Sequence, residues 1–380
     1  TVWIAYELTG SPFLLGVLGV IRAVPTIVLT PFAGVIADRV DQRGLLFATQ
    51  GVSLVLSLAI GVLIASGTLQ LWELYLEVTL QAAVNAVDAV ARQSLFPRLL
   101  PRAHLVEAVT LQSMASRVSN LVGPAIGGFA IAGLGEASPF LLNAVSFACL
   151  MLALALVVGI SARPVATPAP FLTDMADGFR YILRTPILRS LIVLEVFFGL
   201  FAMNQVLITL VARDELGVGA EGLGGLLAAD AVGATIGVFA LLAIGTTDRP
   251  GRFAVVVSLA YGACVSSFAV AGSYLIAFAC LVGCGLCDAL VSVTRNSLMQ
   301  LAAPAGMRGR VMANQGTIVR GMAPLSQSQS GVVAGLVGAP LATLVAGVLL
   351  ATGAAGVLLG HRGLWTIRRD EIVRQGPSRA

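Results

Sequence analysis

Long apolar runs separated by short charged turns make up this chain, and that alternation leaves few folds open. The first clear case is Phe13 to Ala33 and Leu45 to Ala65, joined by Gly34-Val35-Ile36-Ala37-Asp38-Arg39-Val40-Asp41-Gln42-Arg43. Asp38, Arg39, Asp41 and Arg43 crowd into that turn, while the runs on either side are nearly uncharged. About twenty apolar residues cross a bilayer as a helix, and a helix satisfies its own backbone polar groups on the way. Two such runs and a charged turn therefore form a membrane hairpin. Arginine concentrates on the cytoplasmic side, which puts the turn in the cytoplasm and sets the sense of every later helix.

Composition closes off the soluble classes. Of 380 residues, 57% are hydrophobic and 11% charged, with mean hydropathy +0.94. Soluble domains carry about 25% charged residues, so too little charge is available to cover a soluble surface. The net charge of +4 does not point to nucleic acid, because the arginines are spread over loops and not gathered in one patch. All 23 basic residues are Arg, which reads as base-composition bias. Cys149, Cys264, Cys280, Cys284 and Cys287 lie in apolar runs, the last three at helical spacing on one face. His104 and His361 fall in loops, so neither a metal site nor a disulfide framework is expected. No phosphate loop and no Ser–His, metal-ligand or carboxylate-pair motif occurs, so the expectation is no cofactor and no enzyme.

Counting from a truncated first helix, the spans are expected as follows. Thr1 to Leu8 is too short to cross and reads as the outer end of helix 1, so the full-length protein is expected to begin about twenty residues earlier. Helix 2 is Phe13 to Ala33, helix 3 Leu45 to Ala65, helix 4 Trp72 to Phe96, helix 5 Val106 to Ala132 and helix 6 Pro139 to Ile160. Helix 7 runs from Arg189 to Val211, helix 8 from Leu223 to Ile244, helix 9 from Phe253 to Val270, helix 10 from Tyr274 to Ala302, helix 11 from Val311 to Val333 and helix 12 from Pro340 to Gly360. Between the halves, Ser161 to Pro170 is rich in Pro and small residues. Phe171, Met175, Phe179, Ile182 and Leu183 then repeat at helical spacing among Asp174, Asp177, Arg180 and Arg184, an amphipathic helix expected at the membrane surface as a spacer. The domains are thus 1–160, a linker at 161–189, a second bundle at 190–360 and a tail at 361–380.

Arginine tests this map. The loops placed inside hold Arg39, Arg43, Arg98, Arg102, Arg163, Arg180, Arg184, Arg189, Arg249, Arg252, Arg308 and Arg310, and the tail adds more; the loops placed outside hold Arg213 alone. That asymmetry predicts a multi-pass membrane protein with both termini cytoplasmic.

The halves also repeat. Arg92–Pro101 (RQSLFPRLLP) aligns with Arg295–Pro304 (RNSLMQLAAP) at an offset of 295 − 92 = 203, which carries Gln112 onto Gln315 and Arg117 onto Arg320. Asp38-Arg39 meets Asp248-Arg249 at 210, and Glu7-Leu8 meets Glu215-Leu216 at 208. Transporters carry such repeats and place substrate near mid-membrane between them.

Three stretches carry a resemblance to a family. Gly34, Asp38, Arg39 and Arg43 resemble motif A of the major facilitator superfamily, between helices 2 and 3, with Ile36 for its Leu, Asp41 for its Gly and Gln42 for its Arg. Gly123-Pro124-Ala125-Ile126-Gly127-Gly128 is similar to the end of motif C, associated with export by antiport, although Thr110 and Ser119 replace the upstream glycines. Asn85 to Ser94 is similar to the helix 4 signature of the enterobactin-exporter-like and macrolide-efflux-like branch: Asp88, Arg92 and Gln93 match, while Val90 and Ser94 depart from it. Arg308-Gly309-Arg310-Val311 also resembles that branch. The resemblance implies an all-α membrane protein of the major facilitator fold, two six-helix bundles related by a pseudo-two-fold axis, with helix 1 largely missing here. It implies that Asp38, Arg39 and Arg43 act as a cytoplasmic latch on the outward-facing state, beside an Asp88–Arg92 pair spaced to meet on one helix. Gly123, Pro124, Gly127 and Gly128 would mark a bend in helix 5, with plain helix packing as the alternative.

Ionisable residues inside a bilayer cost about 2.5–3.5 kcal/mol or more, so they are paired or functional. Arg22, Glu77, Asp88, Arg117, Glu195, Asp230, Asp288 and Arg320 qualify, while Arg92 and Arg295 sit nearer the cytoplasmic ends, where a structural or gating role is expected. Glu195 and Asp230 are the proton candidates, with Arg22 or Arg320 as exchanging partner and a static buried pair as the alternative. Asn204 and Gln205 in helix 7 are adjacent and cannot both face the same way, so one of them is expected to line the cavity. The expectation is a monomeric, proton-coupled antiporter exporting a drug-like or siderophore-like molecule. An uptake facilitator of the same fold and a non-transporting membrane sensor or assembly protein are the rivals.

Overall fold

A computed structural model describes residues 1–95, 119, 122–123, 126–156, 171–244, 248–304 and 306–360. All elements among them are helical. In order they are α1 (Val2–Thr9), α2 (Pro12–Arg39), α3 (Gln42–Ala65), α4 (Leu71–Leu95), a helical stretch over 126–134, α5 (Ser138–Leu156), α6 (Phe171–Arg184), α7 (Pro186–Phe201), α8 (Gln205–Leu210) with a π turn (Val211–Glu215), α9 (Ala220–Ile244), α10 (Pro250–Ala269), α11 (Tyr274–Ala302), α12 (Arg308–Val337) and α13 (Ala339–Gly360). Among the described residues, eight helical stretches are long and apolar enough to cross a membrane, Pro186–Glu215 being one of 30 residues. Neither α4 nor α12 is among those eight. They carry the polar groups: Glu77, Asp88 and Arg92 on one, Arg308, Arg310, Gln315 and Arg320 on the other.

The contacts divide the chain into two units. Unit 1 is Thr1–Thr167 with Val218–Gly224, and unit 2 is Pro168–Gly217 with Gly225–Ala380. In unit 1, α2 packs on α4, and α3 packs on both α4 and α5. One face of α3 is polar and buried (Thr49, Gln50, Ser53 and Ser57), and it is matched by partners on its neighbours. Gln81 Nε2 donates to Ser53 Oγ at 3.1 Å and Asn143 Nδ2 donates to Ser57 Oγ at 3.2 Å. Buried hydroxyls and amides are stable here because each finds a partner across the helix interface.

Two expectations about element boundaries are corrected. The charged stretch is not a loop of ten residues: α2 continues through Arg39, and only Val40 and Asp41 interrupt the helices. Asp41 allows so short a break by capping α3, its carboxylate accepting from the backbone N–H of Arg43 and Gly44. Helix 7 is not continuous either, but breaks between Phe201 and Gln205 into α7 and α8.

In unit 2, α6 is not a free spacer. Ile182 is fully buried in a cluster with Leu188, Leu191, Leu298 and Val311, and Asn314 on α12 donates to the Met175 carbonyl at 3.1 Å. Gly178 makes this docking possible, since a Cβ there would lie 2.5 Å from Asn314 Nδ2. Phe179 and Leu183 stay exposed on the opposite edge. Helices α9 and α11 approach closely where Gly233 and Gly285 remove the side chains between them, so that a Cβ at either would run into the other helix's backbone.

Candidate functional site

The most buried ion pair among the described residues lies in unit 2. Arg295 on α11 donates through Nη2 to Glu195 Oε1 on α7 at 2.7 Å, and its Nε faces Oε2 at 2.5 Å. The two side chains are only 6% and 5% exposed. Gln315 on α12 adds a third helix: its Nε2 donates to Glu195 Oε2 at 3.1 Å and also reaches Asn296 Oδ1. The guanidinium stacks over Phe198 at 5.6 Å from the ring centre. A charge pair this buried persists only with such a fork of hydrogen bonds around it, because the desolvation of each ion has to be offset.

About two turns beyond Glu195, the helix opens. Ala202 is extended and Asn204 caps α8, its Oδ1 accepting from Val206 and Leu207 N–H. Its Nδ2 donates to Ser330 Oγ at 2.7 Å and Ser326 Oγ at 3.1 Å. Ser326 in turn donates to the Leu200 carbonyl, and Met203 N–H donates to Tyr261 Oη. Side chains of α12 and α10 thus take over backbone groups that the break releases, the condition for irregular backbone inside an apolar bundle.

The break and the ion pair border open space. A cavity of about 420 Å³ is lined by Glu195, Phe198, Asn204, Gln205, Asp288, Arg295 and Gln327, among others. A second, of about 330 Å³, shares Glu195, Ser292, Arg295 and Val319 and adds Gln315 and Arg320. Asn204 and Gln205 both reach the first cavity, against the expectation for a continuous helix, because the chain turns between them. Arg295 Nη1, Gln315 Oε1 and Gln327 Oε1 are buried without a hydrogen-bond partner among the described residues. Cys264 lies within hydrogen-bonding reach of Cys284 and Cys287, yet no three His, Cys, Asp or Glu residues form a metal-holding group among the described residues.

Residues 1–366 match the family model described as transmembrane secretion effector. The chain belongs to that family of major facilitator transporters. Relatives include the multidrug efflux pump Tap of Mycolicibacterium fortuitum, 25% identical over 349 residues, covering 88% of this chain and 84% of Tap. The enterobactin exporter EntS of Escherichia coli is 24% identical over 280 residues, covering 73% of this chain and 66% of EntS. The crystal structure of a POT family transporter in complex with 5-aminolevulinic acid superimposes with a TM-score of 0.73 at 13% identity, covering 93% of this chain and 88% of that one, and so shares the fold. The family consists of transporters and not of enzymes.

The remaining sequence candidates are distributed unevenly over the chain. Asp88 is a hub in unit 1, accepting from Arg92 Nη2 at 2.7 Å, Gln50 Nε2 at 2.7 Å and Thr49 Oγ1 at 3.0 Å. Arg43 donates to the Leu154 and Ala155 carbonyls, and so closes the C-terminal end of α5. Gly34, Asp38 and Arg39 fall on α2 in a stretch whose side chains lie outside those described, and Arg117 and Pro124 lie outside the described residues. Gly128 is buried, and a Cβ there would stand 2.8 Å from the Ala220 carbonyl and Gly224 Cα of the same unit; Gly123 and Gly127 meet open space. Arg22 stands within electrostatic range of Glu77, in unit 1. The partner expected for Glu195 was Arg22 or Arg320, and the structure puts Arg295 there instead. Asp230, on α9, neighbours Asp288 and lines neither cavity. Sequence reasoning had placed Arg295 and Gln315 in the internal repeat but gave neither a place beside Glu195.

Proposed function

We propose that this transporter is a proton-coupled antiporter that exports a drug-like or siderophore-like molecule by alternating access. The names of Tap and EntS support export of small molecules. The observation that carries the coupling is the Glu195–Arg295 pair, buried and yet bordering open space beside a broken helix. Protonating Glu195 removes one charge of the pair and frees Arg295 from α7. Losing the proton restores the fork. Two arrangements of one bundle, selected by a proton, are what an antiporter requires.

In this reading residues 1–160 and 190–360 form the two bundles, 161–189 links them, and both termini and the 361–380 tail face the cytoplasm of a bacterial inner membrane. Asp38, Arg39, Arg43, Asp88 and Arg92 serve as the cytoplasmic latch, and Gly123 to Gly128 as the bend in helix 5. The protein works as a monomer.

The test starts from a compound to which a deletion strain is hypersensitive. In proteoliposomes with an imposed pH gradient, Glu195→Gln is expected to abolish gradient-driven accumulation of that compound and to retain counterflow exchange. Gradient-driven transport by Glu195→Gln at the wild-type rate would remove Glu195 from the coupling. Asp230→Asn, measured beside it, shows whether the second carboxylate carries the proton instead.

A further inference from the structure

Two ionisable side chains on the cavity walls of unit 2 have no use in the network described above. Asp288 on α11 is exposed to the larger cavity, and Arg320 on α12 is exposed to the smaller. Neither forms a hydrogen bond or ion pair with another described residue. Asp230 neighbours Asp288 from α9 but lines neither cavity. The Glu195–Arg295 pair forms part of the wall common to both cavities and is neutral as a unit. The space is therefore bipolar: acidic at Asp288, balanced at the pair, basic at Arg320.

Pockets for drug-sized ligands measure roughly 300–1,000 Å³; the cavities of about 420 and 330 Å³ each fall in that range and adjoin at Glu195, Ser292, Arg295 and Val319. Binding strips water from Asp288 and Arg320 alike, and a charge left buried without a counter-ion is costly. A simple cation satisfies Asp288 and strands Arg320. A simple anion does the reverse, and a neutral ligand strands both. Specificity here comes as much from those penalties as from attraction. Arg295 Nη1 and Gln327 Oε1, buried and unspent, offer a donor and an acceptor to the body of the ligand.

The geometry points to a zwitterionic small molecule as the ligand of this site, its ammonium set against Asp288 and its carboxylate, or an equivalent anion, against Arg320. This rests on the transporter reading of the same cavity and narrows its substrate class. It requires no proton movement, so binding and coupling are separable in experiment.

The probe is ciprofloxacin, zwitterionic at neutral pH and fluorescent, with three derivatives: the methyl ester (cation only), the N-acetyl form (anion only) and the doubly blocked form (neutral). Their affinities are measured on the purified full chain in detergent, without a gradient. The zwitterion is expected to bind about tenfold more tightly than either singly charged form, which is one decade in Kd. Asp288→Asn should bring the zwitterion down to the level of the N-acetyl form measured on wild type, and Arg320→Gln to that of the ester. The wild-type ranking stands as a test even if a variant does not fold. Affinities within about threefold of one another, including no measurable binding of any of the four, overturn the proposal, as does a wild-type ranking that survives in both variants. Wild-type-rate, gradient-driven transport by Glu195→Gln with the ranking intact sinks the coupling reading alone, and loss of that transport with no ranking sinks this one alone.

Discussion

Arg92 and Arg295 occupy matched places in the two halves, and they find their counter-charges in different ways. Arg92 pairs with Asp88 one turn earlier on its own helix, and its side chain is 45% exposed. At the repeat offset the counterpart of Asp88 is residue 88 + 203 = 291, which is Val291. Arg295 has lost the local carboxylate and takes Glu195 from another helix. The sequence repeat therefore located the arginine but not its partner, since nothing local marks a contact made 100 residues away. The pair predicts a non-additive mutant cycle. Arg295→Leu leaves a buried carboxylate without its counter-ion and is expected to cost about 3–5 kcal/mol. Glu195→Gln/Arg295→Leu removes both charges, keeps an amide for Gln315, and should regain most of that loss. Chemical denaturation in detergent micelles measures both variants, and a double variant no more stable than Arg295→Leu would show that the two residues are not coupled.

The break between α7 and α8 shows what an element owes to its surroundings. Ala202, Met203 and Asn204 include neither Pro nor Gly, and the 30 residues from Pro186 to Glu215 are apolar enough to read as one span. The interruption is stabilised from outside, by Ser326 and Ser330 on α12 and Tyr261 on α10. Spans were legible because apolar length alone reports them. The break was not, because its partners lie far along the chain, and so the joint exposure of Asn204 and Gln205 to one cavity went unread. Asn204→Ala deletes a helix cap and two interhelical bonds at once. The cap alone is worth about 1 kcal/mol, and the released N–H groups of Val206 and Leu207 would then border the cavity. Expected is a lower Tm and a weaker ligand affinity together, whereas Ser330→Ala, which spares the cap, should lower Tm less. An Asn204→Ala protein with wild-type Tm would mean that the break is held by packing alone.

At the scale of the molecule, the outer surface is unlike that of a soluble protein: large apolar side chains stand on it, while polar ones lie buried beside the apolar core. On α3, Val52, Val55 and Val62 are exposed while Thr49, Gln50, Ser53 and Ser57 are buried, and on α5 Val145 and Leu152 are exposed while the Asn143 amide turns inward to Ser57. In water this arrangement would be an aggregation surface. In hydrocarbon it is the stable one, since lipid solvates the apolar face and the helices must satisfy their polar groups among themselves. The same inversion explains why composition revealed the class of fold so readily, while α4 and α12, which carry Asp88 and Gln315, fall short of the apolar length that marks the other long helices. It also separates two substitutions at one position. Val55 is 61% exposed near the middle of α3. Val55→Leu only exchanges one lipid-soluble surface for another, and should leave both Tm and membrane yield unchanged. Val55→Arg places a cation in hydrocarbon at a cost of about 2.5–3.5 kcal/mol, and should depress the yield of folded protein in membranes. Equal yields for the two variants would mean that this face of α3 meets water or protein, and the assignment of the outer surface to lipid would fail with it.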